Sequence, residues 1–191
     1  MKKGQLIQLR PEARVEDMSD VGLVAACAAA DRTARALLFE RHVDAIHRFV
    51  SRMRASDSDA IDDLVQVTFL RAFQSAVRFH GRSARSWLYG IAVNVVREHA
   101  RKEIRRKRAM SVVAEDLPRT TQVRDAHLLA RLPDAIAALP HELRAAFAIV
   151  DLEGEKGCDA AAALGIPEGT LWRRLFMART KLREILAGGR R

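Results

Sequence analysis

The sequence predicts an all-α protein: two small helical domains joined by a flexible linker, the second a helix-turn-helix domain. Three observations point there. Apolar residues recur at spacings of three and four and seldom at two, the period of a helix face rather than of a strand. Ala, Leu and Val dominate a hydrophobic fraction of 49%, and only 5% of the 191 residues are aromatic. A mixed stretch over 110–127, containing Pro118, Thr120 and Thr121 and no clear period, separates two periodic blocks. The expected division is a leader over 1–18, a first unit over 19–108, a linker over 109–127 and a second unit over 128–191.

The leader carries two lysines with no apolar core behind them, which excludes a signal peptide. Helices are expected over 20–30 and 31–53. The second has an apolar stripe of Phe39, Val43, Ile46, Val50 and Met53, suited to a core-facing surface. The run RASDSD at 54–59 reads as a turn, with Asp57 or Asp59 as N-cap of the next helix. That helix, over 60–77, turns Ile61, Val65, Phe69, Ala72 and Ala76 inward and leaves Asp62, Asp63, Gln66 and Arg71 outside the stripe. The loop at 78–86 has Gly81 free to take a left-handed conformation. Ser83 or Ser86 caps a helix that continues to Arg108. Beyond the linker, Pro133 and Pro140 fit first-turn positions, where a missing N–H costs nothing. Helices follow over 134–138, 141–152, 157–164 and 168–187, and Gly188 closes the last.

The net charge is +9 and the sequence pI about 10.5, a balance that favours a polyanionic partner, nucleic acid first and an anionic membrane surface second. No apolar run is long enough to span a bilayer. Cys27 and Cys158 lie far apart and give neither a disulfide framework nor metal-ligand spacing, which fits a reducing cytoplasm. The six histidines (His42, His47, His80, His99, His127, His141) show no ligand spacing either. Asp62 and Asp63 at a helix start serve the macrodipole. No enzyme activity, cofactor or metal is expected.

The stretch FHGRSARSWLYGIAVNVVREHARKEIRRKR, 79–108, carries most of the functional signal. An aromatic and arginine-rich loop runs into an apolar helix that ends in a dense basic face. Between Arg97 and Arg108 stand seven cations against two anions, Glu98 and Glu103. Aromatic rings stack on unpaired bases and cations neutralise phosphates, so the pairing suits capture of single-stranded nucleic acid. A solvated basic helix end complementing the macrodipole is the alternative. The aromatics precede the basic run instead of lying opposite it, which argues against an interfacial membrane helix.

Near the C-terminus, a short Ala-rich helix, the turn Gly165-Ile166-Pro167 and a longer helix describe a helix-turn-helix. Leu171, Leu175, Ala178, Leu182 and Ile185 form the inward stripe of the second helix. Arg173, Phe176, Met177 and Thr180 lie half a turn away. Arg174 and Lys181 flank one side, Trp172, Arg179 and Arg183 the other. The N-terminal half of such a helix meets base edges and its flanks meet phosphates, which makes Arg173 the candidate for direct base contact, with Thr170 near the start. Trp172 and Phe176 are unusual outward residues, suited to thymine methyls or to a protein partner.

Together the two halves resemble the extracytoplasmic-function (ECF) group of bacterial RNA polymerase sigma factors. DDLVQVTFLRAF (62–73) looks like that family's polymerase-binding helix, and RFHGRSARSWLYGIAVNVVREHARK (78–102) like its promoter-melting segment. IAALPHELRAAFAIVDLEG (136–154) and ALGIPEGTLWRRLFMARTKLREIL (163–186) look like its −35-binding domain. The resemblance implies a sigma factor that binds core RNA polymerase and promoter DNA and is restrained by an anti-sigma factor. It implies core-polymerase contacts at Asp62, Asp63, Gln66, Phe69, Leu70 and Arg71. It implies −10 contacts at Arg78, Phe79, His80, Gly81, Arg82, Ser83, Trp87, Asn94, Arg97, Arg101 and Arg105, and −35 contacts at Gly169, Thr170, Trp172, Arg173, Arg174, Met177 and Arg179. The chain departs from the family pattern at Val67, where an acid is usual, at Asp159-Ala160-Ala161, where Glu is frequent, and at Trp172 and Arg173, where a basic and then a small residue are usual. The last change suggests an altered −35 preference. A free-standing repressor or activator using only the C-terminal reader is the competing hypothesis.

Overall fold

A computed structural model describes residues 15–54, 60–110 and 128–187, and every regular element among them is helical. After a 3₁₀ turn at Val15–Asp17, the helices are α1 (Asp20–Ala28), α2 (Arg32–Arg54), α3 (Ile61–Ser75), α4 (Ala84–Met110), α5 (Leu128–Ala137), α6 (His141–Phe147), α7 (Gly157–Leu164) and α8 (Glu168–Ala187). Residues 1–14 of the expected leader and 111–127 of the expected linker lie outside the described residues, while 15–18 are described and α4 runs on through 109 and 110.

Local chemistry sets the boundaries. Ser19 caps α1 by accepting the Gly22 N–H at 3.2 Å, and Asp31 caps α2 by accepting the Ala34 N–H at 3.0 Å. Asp57 and Asp59 fall outside the described residues, and the N-cap position of α3 is Ala60, which makes no side-chain cap. Ser83 caps α4 by accepting the Ser86 N–H at 3.0 Å. Ser86 is not the cap, because its hydroxyl turns to a carboxylate from the C-terminal half. Gly81 does not use a left-handed backbone; Gly165 does, at φ 64°, and closes α7.

Three expectations shift. Ile46, Val50 and Met53 are buried as expected, but Phe39 is 40% exposed and Val43 only half-buried, and Ala34, Leu38, His42 and Phe49 complete the inward face of α2. Pro133 lies inside α5, which starts at Leu128 and not at 134. The helix expected over 141–152 ends at Phe147 and widens into a π turn over Ala148–Leu152.

Helices α2, α3 and α4 pack around Phe49, Phe69 and Leu88, and α1 covers their flank through Leu23, Val24 and Cys27, which meet Leu38 of α2. At the other end, Ile136 and Leu139 meet Ala178 and Leu182 of α8. The two halves do not stand apart. Tyr89, Ala92, Val93 and Val96 of α4 share one core with Ala145, Ala146, Ile149, Ala160, Ala161 and Leu171. Small residues allow the close approach: a Cβ on Gly90 would lie 2.2 Å from the backbone oxygen of Ala163 in α7.

Candidate nucleic-acid and polymerase interface

The outer face of α3 presents Asp62, Asp63, Gln66 and Leu70, all exposed, with Leu70 at 58%. Arg71 beside them donates to Glu98 of α4 at 2.6 Å. This bond, acting against desolvation, holds the Glu98 carboxyl below its usual range. Phe69, included with this set from the resemblance, instead points into the core at 2% exposure and packs edge-on against Phe39, ring centroids 4.7 Å apart. It shapes the face from beneath. Val67 is half-buried.

The loop before α4 brings its two large aromatics together: the Phe79 and Trp87 rings lie 5.1 Å apart at 55°. They share a cavity of about 300 Å³ with Arg78, His80, Gly81, Arg82 and Ser83. Its opposite wall is α7, through Asp159, Ala162 and Ala163. Further along α4, Asn94, Arg97, Arg101 and Arg105 fall on one stripe, because steps of three and four residues return to the same helix face. Arg97 donates to Asn94 at 2.7 Å, and Arg101 and Arg105 are exposed. Asn94 and Arg97 also border a groove between α3 and α4 together with Arg71 and Arg78.

On α8, the inward stripe is Leu171, Leu175, Ala178 and Leu182, as the phase predicts. Gly169, Arg173, Phe176 and Met177 are exposed, and Thr170 is half-buried. Trp172 is half-exposed and anchored. Its ring sits where a Cβ on Gly157 would have to go, 2.5 Å from that position, and its indole N–H donates to Glu168 at 3.2 Å. The two flanking arginines are engaged by acids: Arg174 with Glu142, and Arg179 in a two-pronged contact with Asp151 at 2.6 and 2.9 Å.

Sequence reasoning missed the polar seam between the halves. Glu153 and Glu155, on the loop before α7, have side chains only 8% and 7% exposed. Glu153 accepts from Arg52 and, at 2.7 Å, from the Tyr89 hydroxyl. Glu155 accepts from Arg85, Ser86 and Ser83 at the start of α4. Burial works against its charge, but those three donors outweigh it and hold the carboxyl below its usual range. Arg85 also donates to the Glu153 backbone oxygen at 3.0 Å. On the far side, Arg144 of α6 donates to the Met53 carbonyl at the end of α2 at 2.7 Å. The available signals were a glycine in the middle of α4, an alanine-rich α7 and the pair Glu153 and Glu155 on either side of Gly154.

Comparisons with known proteins agree on the family. A family model for Sigma-70 region 2 matches residues 38–106, and one for Sigma-70 region 4 matches residues 129–182. The chain is 36% identical over 175 residues to the ECF RNA polymerase sigma factor SigM of Mycobacterium tuberculosis, covering 89% of this chain and 86% of that protein. It is 33% identical over 178 residues to the ECF RNA polymerase sigma-E factor of Haemophilus influenzae, covering 86% of this chain and 93% of the other. Its fold is similar to that of CnrH, solved in complex with the cytosolic domain of CnrY (TM-score 0.64, 26% identity, 88% of this chain and 97% of that one). It is also similar to the sigma factor RpoE of Bartonella quintana, solved with the anti-sigma factor NepR (TM-score 0.60, 25% identity, 80% of this chain and 96% of that one). The chain belongs to the ECF group of RNA polymerase sigma factors.

Proposed function

We propose that this sigma factor binds core RNA polymerase through the outer face of α3, engages the −10 element with the 78–87 loop and the cationic stripe of α4, and reads the −35 element with α8. On this reading the first unit, 19–108, serves polymerase and −10 element, and the second, 128–191, serves the −35 element. It acts in the cytoplasm, on the nucleoid once joined to polymerase. An anti-sigma protein restrains it, with exposed Trp172 and Phe176 as candidate contacts.

One observation carries most weight. The loop before α4 and the first turn of that helix bring two tilted aromatic rings, Phe79 and Trp87, into contact, and α4 then carries Asn94, Arg97, Arg101 and Arg105 along one stripe. Rings take unstacked bases and the stripe takes phosphates of the same strand. Flipping a base out of a duplex costs a few kcal/mol, which stacking, phosphate contacts and polymerase together supply. The −10 and −35 elements lie roughly two duplex turns, about 70 Å, apart. The seventeen residues between α4 and α5, 111–127, reach at most about 56 Å at about 3.3 Å each, and the width of two domains completes the span.

The test is capture of purified core polymerase by the tagged chain. Gln66→Ala with Arg71→Ala leaves the fold intact, since the exposed Arg71–Glu98 pair contributes less than about 1 kcal/mol, and abolishes capture. Equal capture by parent and double variant removes the α3 face from the proposal.

A further inference from the structure

We propose that the free chain inhibits itself: the loop carrying Glu153 and Glu155 latches the second unit onto α4 and closes the 78–87 loop to nucleic acid. The inference rests on the reading of that loop as a nucleic-acid contact.

The latch is built, not incidental. Glu155 gathers donors from Ser83, Arg85 and Ser86, and Glu153 gathers Arg52 and Tyr89. Both carboxylate side chains are more than nine-tenths buried, so their oxygens are cut off from water and rely on those donors for hydrogen bonds. Ser83 and Arg85 thus give to Glu155 the hydrogen bonds that a DNA phosphate beside the loop would take. With the latch seated, Ala162 and Ala163 of α7 stand across a cavity of about 300 Å³ from the half-buried aromatic pair and narrow the approach to it, and Asp159 adds a negative charge on the same wall. An acidic lid over a basic loop repels the polyanion that the loop suits.

Geometry demands that the latch open. A folded body of about 150 residues has a radius of gyration of about 15 Å and is therefore about 40 Å across. That falls short of the roughly 70 Å between promoter elements. A closed chain cannot hold both elements, so opening precedes or accompanies promoter binding.

Gly90 supplies a test that touches no DNA-contacting residue. In the closed form a methyl at position 90 meets the Ala163 carbonyl. In an open form alanine is the better helix former. Gly90→Ala and, separately, Glu155→Gln are compared with the parent as full chains. Circular dichroism checks helicity, small-angle scattering reads the radius of gyration, and a short fluorescent single-stranded DNA reads binding at fixed salt. Both variants are expected to keep their helices, expand and bind about tenfold tighter, as follows if the parent is closed nine-tenths of the time. An unchanged radius in both variants overturns the latch. Expansion with no gain in binding shows that closure covers no nucleic-acid site and overturns the self-inhibition. A gain that survives Arg78→Ala with Arg82→Ala in the Gly90→Ala chain places the DNA elsewhere. That result overturns the proposal through the loop assignment, leaving the conformational change standing.

Discussion

The hydroxyl of Tyr89, a residue with no exposed surface, donates to the Glu153 carboxylate at 2.7 Å and joins the core of the first unit to the loop before α7. Burial first, and then the neighbouring carboxylate, push the phenol well above its usual range, so it stays a donor at any working pH. Tyr89→Phe keeps the ring against Phe49 but leaves Glu153 with Arg52 alone among these two donors. The expected loss is about 1.5–3 kcal/mol, the range for hydrogen bonds to charged groups, read as a lower urea midpoint. An unchanged midpoint would show that the hydroxyl contributes nothing to the seam.

Arg144 is the second fastener. Its guanidinium donates to the Met53 carbonyl of α2 and to the Leu139 and Ala137 carbonyls after and within α5. Arg144→Ala strands part-buried carbonyls at two helix ends and is expected to cost about 2–3 kcal/mol. Arg144→Lys has one point charge in place of a fork and should recover less than half of that loss. Thermal unfolding of the two variants distinguishes charge from geometry.

Acid should loosen the joint between the halves. Burial, and then Arg144 and Arg97, lower the His141 pKa despite Glu142 nearby, so the closed form favours the neutral ring. Its penalty on closure therefore begins as pH falls below the ordinary imidazole value of 6.5. Glu155 adds a second component. Its closed-form pKa is depressed, so its contribution is fully present above the ordinary carboxyl value of 4.5 and is lost as pH falls through its lowered value. The radius of gyration should hold steady from neutral pH upward and rise below about pH 6. A His141→Gln chain should lose the upper part of that rise. A compact chain throughout the acid range would contradict both assignments.

Phe69 and Leu70 are neighbours with opposite fates. Phe69→Ala empties a core site and is expected to cost about 3–5 kcal/mol, with polymerase capture falling only because the protein unfolds. Leu70→Ala changes a side chain 58% exposed. It should alter stability by less than about 0.5 kcal/mol while weakening capture of core polymerase. Calorimetry beside the capture assay separates the two.

That pair also shows what the sequence can and cannot convey. The three- and four-residue spacing of Leu171, Leu175, Ala178 and Leu182 placed α8 and its outward face correctly, because a helix stripe is a local property. The caps at Ser19 and Ser83 are equally local. Phe69 was assigned both to the inner stripe and, by resemblance, to the docking face, and burial puts it in the first. On α2 the expected Ile46, Val50 and Met53 are buried, and only the N-terminal part of the stripe differs, because Leu38 and Phe39 are both apolar and only packing against α1 and α3 chooses between them.

The seam was not legible, for a different reason. Glu153 and Glu155 are 64 to 72 residues from Tyr89 and Ser83, which donate to them, and no periodicity links the two halves. Gly90 gave a hint, since a glycine inside a long helix is unfavourable by about 1 kcal/mol and implies a close neighbour. Its neighbour, Ala163, emerges only from the fold. The same holds for Arg174 and Arg179, expected on the phosphate-facing flanks and found in contact with Glu142 and Asp151.

Run-off transcription tests the central claim most directly. Purified core RNA polymerase is supplied with a promoter library, with and without the folded chain. The account predicts new transcripts whose start sites share paired −10 and −35 sequences, with the −35 preference changed by Arg173→Ala. Transcription unchanged by the chain, at concentrations where it is folded and binds polymerase, would contradict it.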